Sequence, residues 1–252
     1  TRSATPKAPR RLTPGVYEAA VPYPEGESTA SRLALAASEY GFEGLVCRRT
    51  RPSDAPASTP DPATLREEFG VDVVEAVEID ADDRQSASGS VGNYRPKTTL
   101  LCVRGGTDAV NRYAVEAERV DVLTRPFADG GDVNHVLAKA AATNGVRIAF
   151  DFGPVLRSDG GQRVQHLKHL RKLRELVRQY DTPYVVTGSP RSHLELRAPR
   201  ELRAVGATIG FDPAEIEAGL AEWGRLAARN RERMSEEFIA PGVKRGKHEE
   251  DA

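Results

Sequence analysis

The sequence predicts an α/β fold: an irregular (β/α) barrel of the TIM type, in a single domain. Three observations lead there. Short apolar runs alternate along the chain with segments of helical periodicity. The runs are mostly continuous in apolarity, as strands buried on both faces of a parallel sheet are. The chain has 252 residues, which suits one α/β domain with six or seven such units. A doubly wound sheet is the runner-up. No G-x-G-x-x-G or Walker-type glycine loop follows the first strand to favour it.

The elements follow in order. A strand is predicted over 16–21, then a helix over 29–40 that Gly41 stops. A strand over 44–48 leads into a Pro/Ser/Arg loop over 50–60. Asp61-Pro62 opens a short helix as N-cap and first helical residue. A strand follows over 71–79, and 81–94 reads as a polar Gly/Ser loop. Next come a strand over 98–103, a helix near 108–118 and a strand over 120–124. The helix over 133–144 gathers Val133, Val136, Leu137, Ala140 and Ala141 on one face, with Gly145 after it. A strand over 146–152, a helix over 163–180 and a strand over 184–187 complete the alternation. Helices near 192–197 and 199–205 precede a last one opened by Asp212-Pro213, with Ile216, Leu220 and Trp223 inward. Residues 1–15 hold three prolines, four bases and no acids, and read as a disordered basic arm. Residues 16–240 form the barrel domain, and 241–252 read as a charged disordered tail.

The chain is nearly neutral, at −1, but its charge is unevenly placed. Residues 147–203 carry 12 Lys/Arg against 6 Asp/Glu, so this segment is +6 and the remainder −7. The helix over 163–180 has an apolar stripe of Val164, Leu167, Leu170, Leu173, Val177 and Tyr180. Lys168, Arg171, Lys172 and Arg178 lie opposite, flanked by Arg163, His169 and Arg174. Glu175 is the only acid between Arg163 and Tyr180. Charged faces ordinarily mix signs in i,i+4 pairs. This one does not, so its repulsion is expected to go uncompensated unless a polyanion binds, as clustered bases on nucleic-acid binders do.

No apolar run reaches the length of a membrane span, and no apolar stretch follows the basic residues at the start, so a cytoplasmic, non-membrane protein is expected. Cys47 and Cys102 sit alone inside strand-like runs and read as buried thiols. In a barrel, chemistry belongs just after strand C-termini. Those positions hold Glu25, Arg48-Arg49, Asp80, Arg104, Arg125, Asp151 and Gly188-Ser189. The five histidines are His135, His166, His169, His193 and His248, too scattered for a metal hydrolase. His193 is the best placed, yet reads first as a hydrogen-bonded loop or helix-start histidine. Glu75 and Glu78 have opposite strand parity and face opposite ways. Thr187-Gly188-Ser189 offers backbone N–H groups to a phosphate, a weak signal alone. Ser189 has no recognisable base beside it.

Several segments together resemble a known family. They are Val16-Tyr17-Glu18-Ala19 with Glu25-Gly26-Glu27-Ser28-Thr29; Glu39-Tyr40-Gly41-Phe42-Glu43-Gly44-Leu45-Val46; Val120-Asp121-Val122-Leu123-Thr124-Arg125-Pro126 with Asn134-His135-Val136-Leu137-Ala138; and Tyr180-Asp181-Thr182-Pro183-Tyr184-Val185-Val186-Thr187-Gly188 with Leu196-Arg197-Ala198-Pro199-Arg200-Glu201-Leu202. Their order and spacing resemble archaeal ribonuclease P protein component 3, related to the eukaryotic thirty-kilodalton subunit. The resemblance implies an irregular barrel akin to polymerase-and-histidinol-phosphatase metal hydrolases. It implies a part in removing 5′ leaders from precursor tRNA. The partners it implies are ribonuclease P RNA, protein component 2 and the other protein subunits. The RNA would carry the chemistry with Mg2+, and this chain would hold no cofactor and no catalytic or metal residue. Where the hydrolases carry His-x-His and Asp-x-His, this chain has Pro22-Tyr23-Pro24 and Gly188-Ser189-Pro190-Arg191. The expected RNA contacts are Arg163, Lys168, Arg171, Lys172, Arg174 and Arg178, with Arg191, Arg197, Arg200 and Arg203. A metal-dependent phosphoesterase on a related barrel is the alternative.

Overall fold

The computed structural model describes residues 15–235, 238–240 and 243–244. Apart from Gly15, the expected basic arm lies outside the described residues, and so does most of the expected tail. Seven parallel strands run in sequence order through one sheet: β1 (Tyr17–Ala20), β2 (Gly44–Arg49), β3 (Asp72–Ile79), β4 (Leu100–Arg104), β5 (Val122–Thr124), β6 (Arg147–Asp151) and β7 (Tyr184–Thr187). Each pairs with the next. Helices α1 (Ala30–Glu39), α2 (Pro62–Phe69), α3 (Arg84–Tyr94), α4 (Asp108–Glu116) and α5 (His135–Asn144) form the crossovers as far as β6, one per connection. Helices α6 (Gly153–Arg157) and α7 (Gly160–Tyr180) join β6 to β7, and α8 (Pro199–Thr208) and α9 (Pro213–Met234) follow.

The local chemistry sets these boundaries. Thr29, Asp61, Thr107 and Asn134 cap α1, α2, α4 and α5 by accepting backbone N–H bonds. Gly70 and Gly145 end α2 and α5 in the left-handed region, at φ 70° and 65°. The predicted loop over 81–94 is instead α3. Asp83 and Ser86 form a reciprocal capping box there, and only Ala87 and Val91 are buried. Ser and Gly on the exposed turns masked its period. The helix predicted from 133 begins at His135, and Val136 on its supposed apolar face is half exposed. Val164, on the predicted stripe of α7, is exposed too; the helix seats on Leu170, Leu173 and Val177. Phe238–Ala240 and Val243–Lys244 pair as an antiparallel ribbon, so backbone pairing extends past Gly242.

Two apolar layers result. One lies between strands and helices, with Leu45, Val73, Leu101, Ile148 and Phe150 meeting Leu33, Leu137, Leu170 and Leu173. The other fills the barrel itself with Ala19, Val46, Val74, Cys102, Val122, Ala149 and Val185. Helix α9 inserts Trp223, Leu226 and Ala227 into this second layer.

The barrel is nearly closed. Among the described residues β1 and β7, the first and last strands, share no ladder. Their facing backbone groups find other partners, as buried backbone must. The Trp223 indole N–H donates to Val186 O at 2.9 Å. The Glu18 carboxylate accepts from Ala19 N at 2.8 Å and from Gly188 N at 3.0 Å. Val21 N–H donates to Pro190 O just above. Gly219 and Gly224 let α9 lie close against this seam. A Cβ at the first would come within 2.6 Å of Val186, and one at the second within 2.5 Å of Tyr17.

Candidate nucleic-acid interface and the barrel mouth

Parallel strands deliver their C-terminal ends to one rim. Glu25, Arg48, Asp80, Arg104, Arg125, Asp151 and Ser189, all expected at strand ends, line one opening of about 400 Å³ there. Arg49 instead points away, reaching Tyr23 O at 2.6 Å. Glu78, Arg157, His166 and Arg191 also line the opening. Parity foretold that Glu75 and Glu78 separate: Glu78 enters the mouth while Glu75 lies near Arg49 on the other face.

Arg48 organises this floor. It is 2% exposed, donates to Glu78 Oε1 and Ser189 Oγ at 2.8 Å each, and leaves its Nε without a hydrogen-bond partner among the described residues. Glu78 also accepts from the Thr124 hydroxyl at 2.6 Å. Arg104 pairs with Asp80 and Asp129. Arg157 reaches Glu195, and the Arg191 guanidinium donates to Glu25 O.

Glu18 is fully buried beside this floor and accepts from the Thr187 hydroxyl at 2.5 Å. Burial pushes its carboxyl up to about 7, against the hydrogen bonds from Thr187, Gly188 and Ala19 and the charge of Arg48. When protonated it can donate to Thr187, which then donates to Ala19 O at 3.0 Å.

The loop after β7 is not a phosphate cradle. Gly188 N–H is taken by Glu18, and Ser189 N–H by the Thr187 hydroxyl at 2.8 Å. His193 opens a short 3₁₀ turn, His193–Glu195, its Nδ1 2.9 Å from Ser28 Oγ. Among the described residues no group of three or more His, Cys, Asp or Glu is placed to hold a metal ion.

The outer face of α7 corrects one expectation. Compensating groups come from neighbouring elements rather than from the helix. Lys172 contacts both oxygens of Asp132 at 2.5–2.6 Å. Arg178 lies 3.7 Å from Glu215, and Arg171 donates to Thr208 O at 3.1 Å. Arg174 packs over the Phe211 ring, and Arg163 donates to Ser158 O. Lys168 remains exposed on this face. Of the bases beyond the helix, Arg203 pairs with Glu217, Arg197 donates to Leu194 O and Leu196 O, and Arg200 is exposed. Periodicity within one helix cannot show acids brought by another, so this pairing left no mark in the sequence.

Residues 15–235 match the family model for RNase P subunit p30. The chain belongs to the RNase P subunit p30 family. Relatives include ribonuclease P protein component 3 of Halorubrum lacusprofundi, 57% identical over 94% of this chain and all of that one. The Halobacterium salinarum counterpart is 52% identical over 94% of this chain and its own full length. In structure the chain is similar to one in a cryo-EM structure of archaeal ribonuclease P with mature tRNA, with a TM-score of 0.79 at 22% identity, covering 93% of this chain and all of that one. A Xaa-Pro dipeptidase shares the fold more loosely, at TM-score 0.54 and 9% identity, covering 87% of this chain and 76% of that one. The p30 match covers every strand of the barrel. No helix among the described residues is long and apolar enough to cross a membrane.

Proposed function

We propose that this chain is a protein subunit of an archaeal, cytoplasmic ribonuclease P, supporting RNA-catalysed endonucleolytic removal of 5′ leaders from precursor tRNA. The observation that carries this reading is the p30 match over residues 15–235. In this reading the RNA holds the Mg2+ and performs the cleavage. The chain binds RNA and pairs with protein component 2. The rim favours an auxiliary rather than a catalytic role: where a metal hydrolase needs converging His and carboxylate ligands, this barrel places Arg48, Arg104 and Arg125 at its strand ends, with Arg157 and Arg191 beside them.

RNA contact is assigned to the outer face of α7, through Lys168 and Arg171 with Arg163, Lys172, Arg174 and Arg178. Arg191, Arg197, Arg200 and Arg203 extend it. Ion pairs at exposed sites are worth only about 0–1 kcal/mol, so Lys172 and Arg178 can exchange Asp132 and Glu215 for phosphate. Reconstitution tests the function. Ribonuclease P RNA and its protein subunits are assembled with and without this chain, and precursor-tRNA cleavage is measured at moderate Mg2+. Cleavage should drop without it; unchanged cleavage refutes the reading.

A further inference from the structure

We propose that the barrel mouth binds one unpaired RNA nucleotide, its phosphate on the rim arginines and its base in an adjoining apolar slot. The slot, about 90 Å³, is lined by Phe127, His169, Leu170 and Leu173 among others, and shares Arg125, Asp151, Pro154 and His166 with the mouth. The two spaces therefore meet along a common wall.

Each part of a nucleotide has a counterpart. Five guanidiniums, of Arg48, Arg104, Arg125, Arg157 and Arg191, surround the larger space, and guanidinium suits phosphate through paired donors. Four carboxylates, of Glu25, Glu78, Asp80 and Asp151, share that lining. Glu78 and Asp80 are neutralised by Arg48 and Arg104. Arg125 is exposed directly after β5 and held at φ 48°, and its side chain has no hydrogen bond or ion pair among the described residues. Arg48 is buried with Nε unpartnered, which is costly unless an acceptor arrives.

The apolar slot adds what a bare anion site lacks. Phe127 and His169 stack in it, centroids 4.7 Å apart and planes 9° from parallel. Burial, and after it the neighbouring His166, pushes His169 below its usual value, which favours the neutral ring. Aromatic rings are the usual platform for splayed RNA bases. Asp151, on the shared wall, has one oxygen on Gly153 N at 2.8 Å, leaving the other for a base amino group. A carboxylate is out of place in a pure phosphate site and fits a base edge.

The source of the nucleotide rests on the RNA-subunit reading, whereas binding is measured on the chain itself. The full chain is titrated at low salt with a single-stranded oligoadenylate, adenosine monophosphate, adenosine and inorganic phosphate. Saturable binding is expected for oligoadenylate and the monophosphate, at least tenfold tighter than for adenosine or phosphate. Arg125→Asn keeps a residue that tolerates the left-handed backbone and should weaken binding at least tenfold. Phe127→Ala, checked for folding by thermal melting, should do the same for the monophosphate and leave phosphate unchanged. Arg112→Ala, which removes an exposed base that lines neither space, should change nothing. The proposal is overturned by any of four results: no saturable binding; phosphate as tight as nucleotide; no effect of either mouth variant; or monophosphate binding without oligoadenylate binding, which would mean a free nucleotide ligand. A chain that fails here yet restores precursor-tRNA cleavage leaves the subunit reading intact.

Discussion

Replacing Glu18 with glutamine should change how stability depends on pH. Glu18 is fully buried, and its carboxyl is raised from 4.5 to about 7, first by burial. The native state therefore holds a proton that the unfolded state has lost anywhere between those values. The stabilisation is fully present below the unfolded value and is lost as pH rises through about 7. At ~1.4 kcal/mol per unit the whole effect is about 3 kcal/mol, and most of it falls between about pH 5 and about pH 8. The amide of Glu18→Gln stays neutral and keeps an oxygen for Ala19 N, Thr187 and Gly188 N; its NH2 replaces the Oε2 that accepts from Gly188 N at 3.1 Å, setting donor against donor at a cost that does not vary with pH. Urea unfolding, followed by the single tryptophan, Trp223, measures both proteins across that range. The wild-type protein should lose about 2–3 kcal/mol more than the variant as pH rises. Parallel profiles would refute the reasoning.

Other outcomes follow from the seam and the core. Trp223→Phe removes the indole donor to Val186 O and should cost about 1–3 kcal/mol in urea unfolding followed by circular dichroism. Asp121 is buried and accepts from Leu101 N, Arg95, Arg229 and Asn230. Asp121→Ala strands all four donors and should cost about 3–5 kcal/mol, read as a lower urea midpoint. Burial pushes the thiols of Cys47 and Cys102 far up, so neither should react with a thiol reagent at neutral pH until urea unfolds the chain.

The strands were legible because burial on both faces left apolar runs, as in residues 44–47, every one of which is buried. The rim was legible too, since parallel strands make it a matter of reading off the next residue. What escaped was tertiary. α3 has a cap but a two-residue apolar contact, below what periodicity can detect. The burial of Glu18 left no mark in the sequence, and only the unpaired edges of β1 and β7 explain why a carboxylate is buried there. The slot unites Phe127 with His169 from segments that share no motif, where α7 packs against α5 and α6.

The most direct test of the central claim is the salt dependence of ribonuclease P RNA binding by Lys168→Ala/Arg171→Ala/Lys172→Ala/Arg178→Ala beside the wild-type chain. Each phosphate contact contributes about 0.7–0.9 to the slope of log affinity against log salt. Loss of two to four contacts should flatten the slope by about 1.5–3.5. A slope equal to that of the wild-type chain would contradict the assignment of α7 as the RNA-facing side.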